Sequence, residues 1–219
     1  MAQVLGVVVL SYLLGCLPVA RVVAGRFGVD PTASGSGNPG ASNVYRTTGR
    51  RAGAAVLIGD VAKGALAAGL GLAVGGRLLG LVAGLAAVVG HVAPATRRFR
   101  GGKGVATAAG AMGVLFPLAT AAAAVVWIAI LAVTSVASVA SLAATAVLVA
   151  GVLVAGVDGG ELVVVGLMAA MVLVRHAGNI GRLAQGAEHT VQAGLPSSSG
   201  ADAPIPIPHH PSTPGAEPR

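Results

Sequence analysis

The sequence predicts an all-α, polytopic integral membrane protein, with about seven transmembrane helices and a disordered C-terminal tail. Three observations predict it. First, 55% of the 219 residues are hydrophobic and 10% are charged, where a soluble domain carries about 25% charged residues. Second, the apolar residues gather in runs of the length, roughly 20 residues, that an α-helix needs to cross about 30 Å of hydrocarbon. Third, the charges between the runs are segregated: basic clusters lie at 21–26, 46–51, 97–103 and 175–182, whereas the turn at 158–161 is acidic only. The net charge of +7 would point to nucleic acid on a soluble chain, but an aromatic content of 3% supplies no stacking platform, so no nucleic-acid partner is expected. Cys16 is the single cysteine, which excludes an internal disulfide framework and any CxxC metal site; neither metal nor cofactor is implied.

The first run, Ala2 to Ala20, lacks the basic start of a signal peptide, and Arg21 and Arg26 follow it. It reads as an uncleaved helix with its N-terminus outside. A polar, glycine-rich stretch from Arg26 to Arg51 comes next, then two runs, Ala52 to Val74 and Leu78 to Val92, separated by Gly75-Gly76-Arg77. Residues 104–157 carry no charge, and turn signals at Phe116-Pro117 and within Thr134 to Ser141 divide them into three helices. Leu162 to Val174 is the last run. Parity supports this division, because the positive-inside rule puts the basic clusters in the cytoplasm and the acidic turn outside. Returning from Lys103 to Arg175 on one side takes an even number of crossings. Gly76, Gly80 and Gly84 recur four apart, the spacing that lets membrane helices approach closely. The membrane domain therefore spans 1–190. The tail, 191–219, holds 7 of the 12 prolines and is expected to be disordered; its His209-His210 pair has no further ligand to make a metal site.

Three polar segments interrupt the apolar chain, all on the expected cytoplasmic side. The first runs Ser34-Gly35-Ser36-Gly37-Asn38-Pro39-Gly40-Ala41-Ser42-Asn43-Val44-Tyr45-Arg46. Gly35, Gly37 and Gly40 formally match GxGxxG, but that fingerprint needs a preceding strand, and here a membrane helix precedes it. The physics holds without that fold: glycines free backbone N–H groups to curl around an anion, and a helix N-terminus adds its dipole. Ser36, Asn38, Ser42 and Asn43 add neutral donors, and Arg46 a fixed charge. An ordinary capped loop would explain the glycines, but not so many donors followed by an arginine.

The second segment ends Arg97-Arg98-Phe99-Arg100-Gly101-Gly102-Lys103-Gly104. It is not a Walker A loop, since Arg97 stands five before Gly102 and Gly104 follows the lysine. Arg97, Arg98 and Arg100 are equally well explained as a topological anchor. Lys103 is not, because an anchor needs no flanking glycines, whereas a glycine-flanked lysine opening a helix suits a phosphate. The third segment is Arg175-His176-Ala177-Gly178-Asn179-Ile180-Gly181-Arg182, with Gly186 and Glu188 after it. At helical spacing Arg175, Asn179 and Arg182 project from one face. Asp60 and Lys63, three apart within a span, read as an intramembrane ion pair.

Together these stretches resemble the bacterial acyl-phosphate:glycerol-3-phosphate acyltransferases, the PlsY family. The likeness runs to about Glu188: Ser36-Gly-Asn-x-Gly-Ala-x-Asn43 with Arg46; Asp60-x-x-Lys63-Gly64; Gly90-His91 through Gly-Gly-Lys103-Gly104-Val-Ala-Thr107; and Arg175-His176-x-x-Asn179-Ile180-x-Arg182. Ser42 stands where threonine is usual, and Arg100 where lysine is common. The resemblance implies a seven-span enzyme of the bacterial inner membrane, its active site and C-terminus facing the cytoplasm. It would move a fatty acyl group from acyl phosphate to the 1-hydroxyl of glycerol 3-phosphate. The products, lysophosphatidic acid and phosphate, complete the first acylation of phospholipid synthesis, with membrane lipids as further partners. The oligomeric state is left open, a monomer being compatible with it.

Acyl phosphate is already activated, so positioning and charge stabilisation are the main requirements. Ser36, Arg46, Lys103, His176 and Asn179 are the expected catalytic residues. Arg46 would neutralise the leaving group, while Ser36, His176 and Asn179 orient the acceptor hydroxyl and phosphate. Gly35, Gly37, Asn38, Gly40, Asn43, Gly101, Gly102, Gly104 and Arg182 are expected to bind phosphate. A His-x4-Asp pair is absent: Thr96 lies five after His91 and Gly181 five after His176. The hydroxyl proton therefore goes to His176 or, preferably, to a substrate phosphate oxygen. Ser36 as a covalent nucleophile lacks a base at local spacing. A transporter of a small phosphorylated anion is the alternative, but carriers place polar groups at the midplane in repeated halves, and no repeat is visible here.

Overall fold

In a computed structural model, which describes residues 1–191, all regular structure is helical. The expected tail, 191–219, lies outside the described residues except for Val191. The first run divides into α1 (Ala2–Gly15) and α2 (Val19–Gly25), because Pro18 lacks an N–H and disfavours helix in the residue before it. A short amphipathic helix, α3 (Ala41–Thr48), follows the first glycine-rich loop.

The next helix, α4 (Arg50–Val92), is a hairpin. Gly75 (φ −152°, ψ 25°) and Gly76 (φ 76°, ψ −169°) leave helical geometry, and the second arm returns along the first. Gly71 faces Leu79 and Ala83, and Gly80 faces Ala68 and Leu72. The expected small-residue repeat thus divides its labour: Gly80 and Gly84 sit at helix contacts, whereas Gly76 forms the turn. After the 3-10 turn Ala95–Arg97 come α5 (Val105–Leu115), α6 (Pro117–Thr134) and α7 (Ala137–Val154). Their breaks fall at the two expected places, with Pro117 opening α6 at a position where no N–H is needed and Ser135 in the left-handed region closing it (φ 56°).

The bundle ends in α8 (Gly159–Arg175) and α9 (Ala177–Ala184), bent 48° from each other. Asp158 and Glu161 form a reciprocal capping box at the start of α8.

Four helical stretches among the described residues are long and apolar enough to cross a bilayer, and the bent pair α8–α9 makes a fifth. The expected count of seven is not reached by that measure, for two reasons. The stretch containing α4 counts once although it folds back and holds two of the expected runs. The 11 residues of α5 rise only about 16 Å, well short of about 30 Å.

Backbone-to-backbone contact holds the bundle. A Cβ on Gly15 would collide with the Ala87 carbonyl and one on Gly90 with the Tyr12 carbonyl, so α1 and the second arm of α4 touch without side chains between them. Gly64 and Gly110 play the same reciprocal part against Thr107 and Val61 where α4 meets α5. Leu81, Val88, Met112, Val152 and Met168 fill the core between α4, α5, α7 and α8.

Candidate active site at one rim of the bundle

In the first polar segment the side chains of α3 organise the loop before it. Asn43, 1% exposed, donates through Nδ2 to the carbonyls of Pro31 (2.9 Å) and Ser34 (3.0 Å), and its Oδ1 accepts from the Ser36 N–H (2.9 Å). Both amide donors are consumed by the loop, so Asn43 is a staple rather than the expected phosphate donor. Gly35 turns with φ +60°, and a Cβ there would collide with Asn43 Oδ1, which is why the loop needs glycine at that point. Three residues after Asn43, Arg46 projects from the same helix face and donates through Nη2 to Ser36 Oγ (3.3 Å). Burial pulls the Arg46 guanidinium below its ordinary value; Glu188 acts against this and Arg182 adds to it.

The second segment begins at His91. Its carbonyl accepts from the Gly102 N–H (3.1 Å), and Tyr12 Oη donates to the Ala93 carbonyl (3.0 Å). Arg98 (φ 50°) and Phe99 (φ 61°) occupy the left-handed region consecutively, a strained turn for side chains of that size. The chain then enters α5 through Gly104 (φ 86°), setting Lys103 at the N-terminal end of the helix dipole. Burial lowers Lys103 to about 8; Glu188 opposes the shift, while Arg182, Arg46 and Arg175 reinforce it.

The bend at His176 splits the third segment, so Arg175, Asn179 and Arg182 do not share one straight face as the spacing predicts. Arg175 turns to the second segment, donating through Nε to the Gly102 carbonyl (3.2 Å) and through Nη2 to the Gly101 carbonyl (3.0 Å). His176 Nδ1 donates to the Val172 carbonyl (2.8 Å), which leaves Nε2 as the acceptor in the neutral ring. Asn179 Nδ2 and Arg182 Nε (2.9 Å) both donate to Glu188, as does Ser138 Oγ from α7 (3.2 Å). Burial would raise the Glu188 carboxyl, but the Asn179 hydrogen bond, the Arg182 charge and the Ser138 hydrogen bond hold it below the usual carboxylate range.

All three segments therefore meet at one rim. A cleft of about 690 Å³ is lined by Ser36, Gly37 and Asn38 of the first, Arg97 to Gly101 of the second and Arg175 of the third. Lys103, Arg46, Arg182 and Glu188 lie within electrostatic reach of one another. Sequence reasoning did not assign site roles to Glu188, Arg175 or His91. Glu188 carried a readable signal, being the single acid between Glu161 and Asp202 and following a basic cluster. The grip of Arg175 on two carbonyls 73 and 74 residues away had none.

The glycerol-3-phosphate acyltransferase family model matches residues 5–186. Glycerol-3-phosphate acyltransferase of Bacillus cytotoxicus is 42% identical over 178 residues, covering 80% of this chain and 88% of that one. The corresponding protein of Exiguobacterium sibiricum is 47% identical over 112 residues, 50% of this chain; that match spans about half, 54%, of the relative's own length. Among solved structures, the integral membrane glycerol 3-phosphate acyltransferase PlsY in its glycerol 3-phosphate form superposes with a TM-score of 0.82 at 36% identity, covering 85% of this chain and 94% of that one. Its lysophosphatidic acid form gives 0.80. The chain is a multi-pass membrane protein of the glycerol-3-phosphate acyltransferase family that includes PlsY.

Proposed function

We propose that the protein transfers a fatty acyl group from acyl phosphate to the 1-hydroxyl of glycerol 3-phosphate, releasing lysophosphatidic acid and inorganic phosphate. The observation that carries this reading is the cation excess at the rim: Arg46 donates to Ser36 and lies within electrostatic reach of Lys103 and Arg182, with Glu188 as the carboxylate among them. Such a rim suits phosphate groups arriving from outside.

The acceptor oxygen attacks the acyl carbonyl carbon, and the bond from that carbon to the phosphate oxygen breaks, its electron pair leaving with phosphate. Arg46 neutralises the charge growing on the leaving group, and Lys103 together with the first N–H groups of α5 holds phosphate oxygens. Ser36, His176 through Nε2, and Asn179 orient the acceptor. The hydroxyl proton passes to a phosphate oxygen of the substrate. In this reading the rim faces the cytoplasm of the inner membrane, with Met1 outside, a placement that the distribution of basic residues supports.

Purified protein supplied with palmitoyl phosphate and glycerol 3-phosphate is expected to release phosphate and form 1-acyl-glycerol 3-phosphate. Acyl-CoA and acyl carrier protein are the comparison donors. Turnover with either of these, and none with palmitoyl phosphate by folded protein, would overturn the donor assignment. Replacement of His176 with Ala tests the proton's path: a loss smaller than about 10²-fold is expected, and one within the 10²–10⁴-fold typical of a general base would transfer that role to His176.

A further inference from the structure

One charged group lies below the rim and has no part in the chemistry above. Asp60 and Lys63 on the first arm of α4 are each 3% exposed and paired at 2.8 Å, and Lys63 Nζ lies 2.7 Å from Nδ1 of His91 on the second arm. Asp60 Oδ1 lies farther from that nitrogen, at 3.5 Å; with the 2.7 Å contact as the hydrogen bond, the Lys63 ammonium donates, His91 Nδ1 accepts and the ring proton sits on Nε2. That Nε2 borders the active-site loop: a Cβ on Gly102 would collide with it, and the His91 carbonyl holds the Gly102 N–H at 3.1 Å. From the other side Arg175 grips the Gly101 and Gly102 carbonyls. The two glycines before Lys103 are thus clamped between His91 and Arg175.

Stability does not explain the triad. A buried ion pair costs its own desolvation, and apolar residues of similar volume commonly replace it without loss. Ionisable groups set among membrane helices are expensive to keep and mark functional sites.

We infer that Asp60, Lys63 and His91 are positioning residues: the ion pair fixes the tautomer and orientation of His91, and His91 holds Gly101–Gly102 so that Lys103 faces the substrate phosphate. The inference rests on the reading of Lys103 as a phosphate ligand. The triad touches no substrate; it acts through the loop, and misplacing a binding group by about 1 Å is enough to cost about 10²-fold.

The test uses the full chain reconstituted in lipid. The double variant Asp60→Leu/Lys63→Met removes both charges at similar volume and deprives His91 Nδ1 of its donor. Its melting temperature should match or exceed that of the parent. The inhibition constant of inorganic phosphate and the KM for glycerol 3-phosphate should rise by about 10- to 100-fold. Lys103→Met is the benchmark. If the triad works through Lys103, adding Lys103→Met to the double variant causes little further loss. In histidine-labelled protein, one 15N resonance should report an unprotonated Nδ1, vanish in His91→Gln and shift in the double variant. Should the double variant fail to fold, Gly102→Ala, which crowds His91 Nε2 with the triad intact, must weaken phosphate to a similar degree. A normal phosphate constant in whichever of these two variants folds, with Lys103→Met impaired, overturns the positioning role. A normal constant in Lys103→Met itself overturns the reading of Lys103, and the positioning role falls with it.

Discussion

At the end of the bundle where α4 reverses, Arg77 Nε and Nη2 meet Glu161 Oε1 and Oε2 at 2.6 and 2.7 Å, with the guanidinium 5.4 Å over the Phe116 ring. Asp158 is occupied by the capping box of α8. At the other end Arg46, Lys103 and Arg182 act on the carboxylate of Glu188, and no carboxylate among the described residues lies within 4 Å of the Lys103 ammonium. Where cation and anion are matched, the charges act as a latch between the α4 turn and α8. Where cations exceed anions, the balance is left for a ligand to complete.

Removing a cation from each end breaks this comparison most directly. Lys103→Met should lower kcat/KM by about 10²–10³-fold, the cost of deleting a donor aimed at developing charge, without lowering the melting temperature. Equal activity in the variant would mean that the surplus is a topological anchor. Glu188→Ala comes next, since it leaves Asn179, Arg182 and Ser138 without their shared acceptor. It should destabilise the protein by about 2 kcal/mol in thermal or denaturant melts, less than a fully buried pair because Arg182 keeps access to water. An unchanged melt would show that the carboxylate only balances charge.

A smaller effect follows from pH. Lys103, lowered to about 8, is charged below that value and neutral above it, so phosphate affinity is full near pH 7 and falls as pH rises through 8. By pH 9 the KM for glycerol 3-phosphate should have risen by about tenfold. Lys103→Arg should flatten that rise, because guanidinium stays charged; a rise of the same size in that variant would assign the titration to another group. Smallest is Arg77→Ala, expected to lower the melting temperature and leave kcat/KM unchanged. A loss of activity there would couple the two ends.

The helical runs were legible because hydrocarbon imposes a length and turns need breakers: Gly75-Gly76, Pro117 and the Thr134–Ser141 stretch fall where the chain turns. The brevity of α5 was legible as well, since Lys103 and Phe116-Pro117 bound an apolar run of only 12 residues; the non-helical path of Gly101 to Gly104, which ends in the left-handed Gly104, was not. The polar segments were legible as a set because donors, glycines and cations cluster locally. The work of Asn43 was not, because its amide suits an anion as well as the carbonyls of Pro31 and Ser34, and only the folded loop decides. Arg175 acts on glycines across the fold, and His91 on Gly102 within its own segment; neither pairing is marked in the local sequence.

The shortness of α5 has a further consequence. Thr107 packs at the level of Gly64 and Leu115 at that of Gly80 and Leu72, so α5 starts beside the middle of the first α4 arm, near Asp60. Ten residues separate Asp60 from Arg50, where that arm begins, which sinks Lys103 by about 15 Å along the helix axis. In the reaction proposed above, that depth would let two reactants of opposite solubility meet at one notch in the bundle: the fatty tail would not have to surface, and the water-borne acceptor would not have to dissolve in lipid.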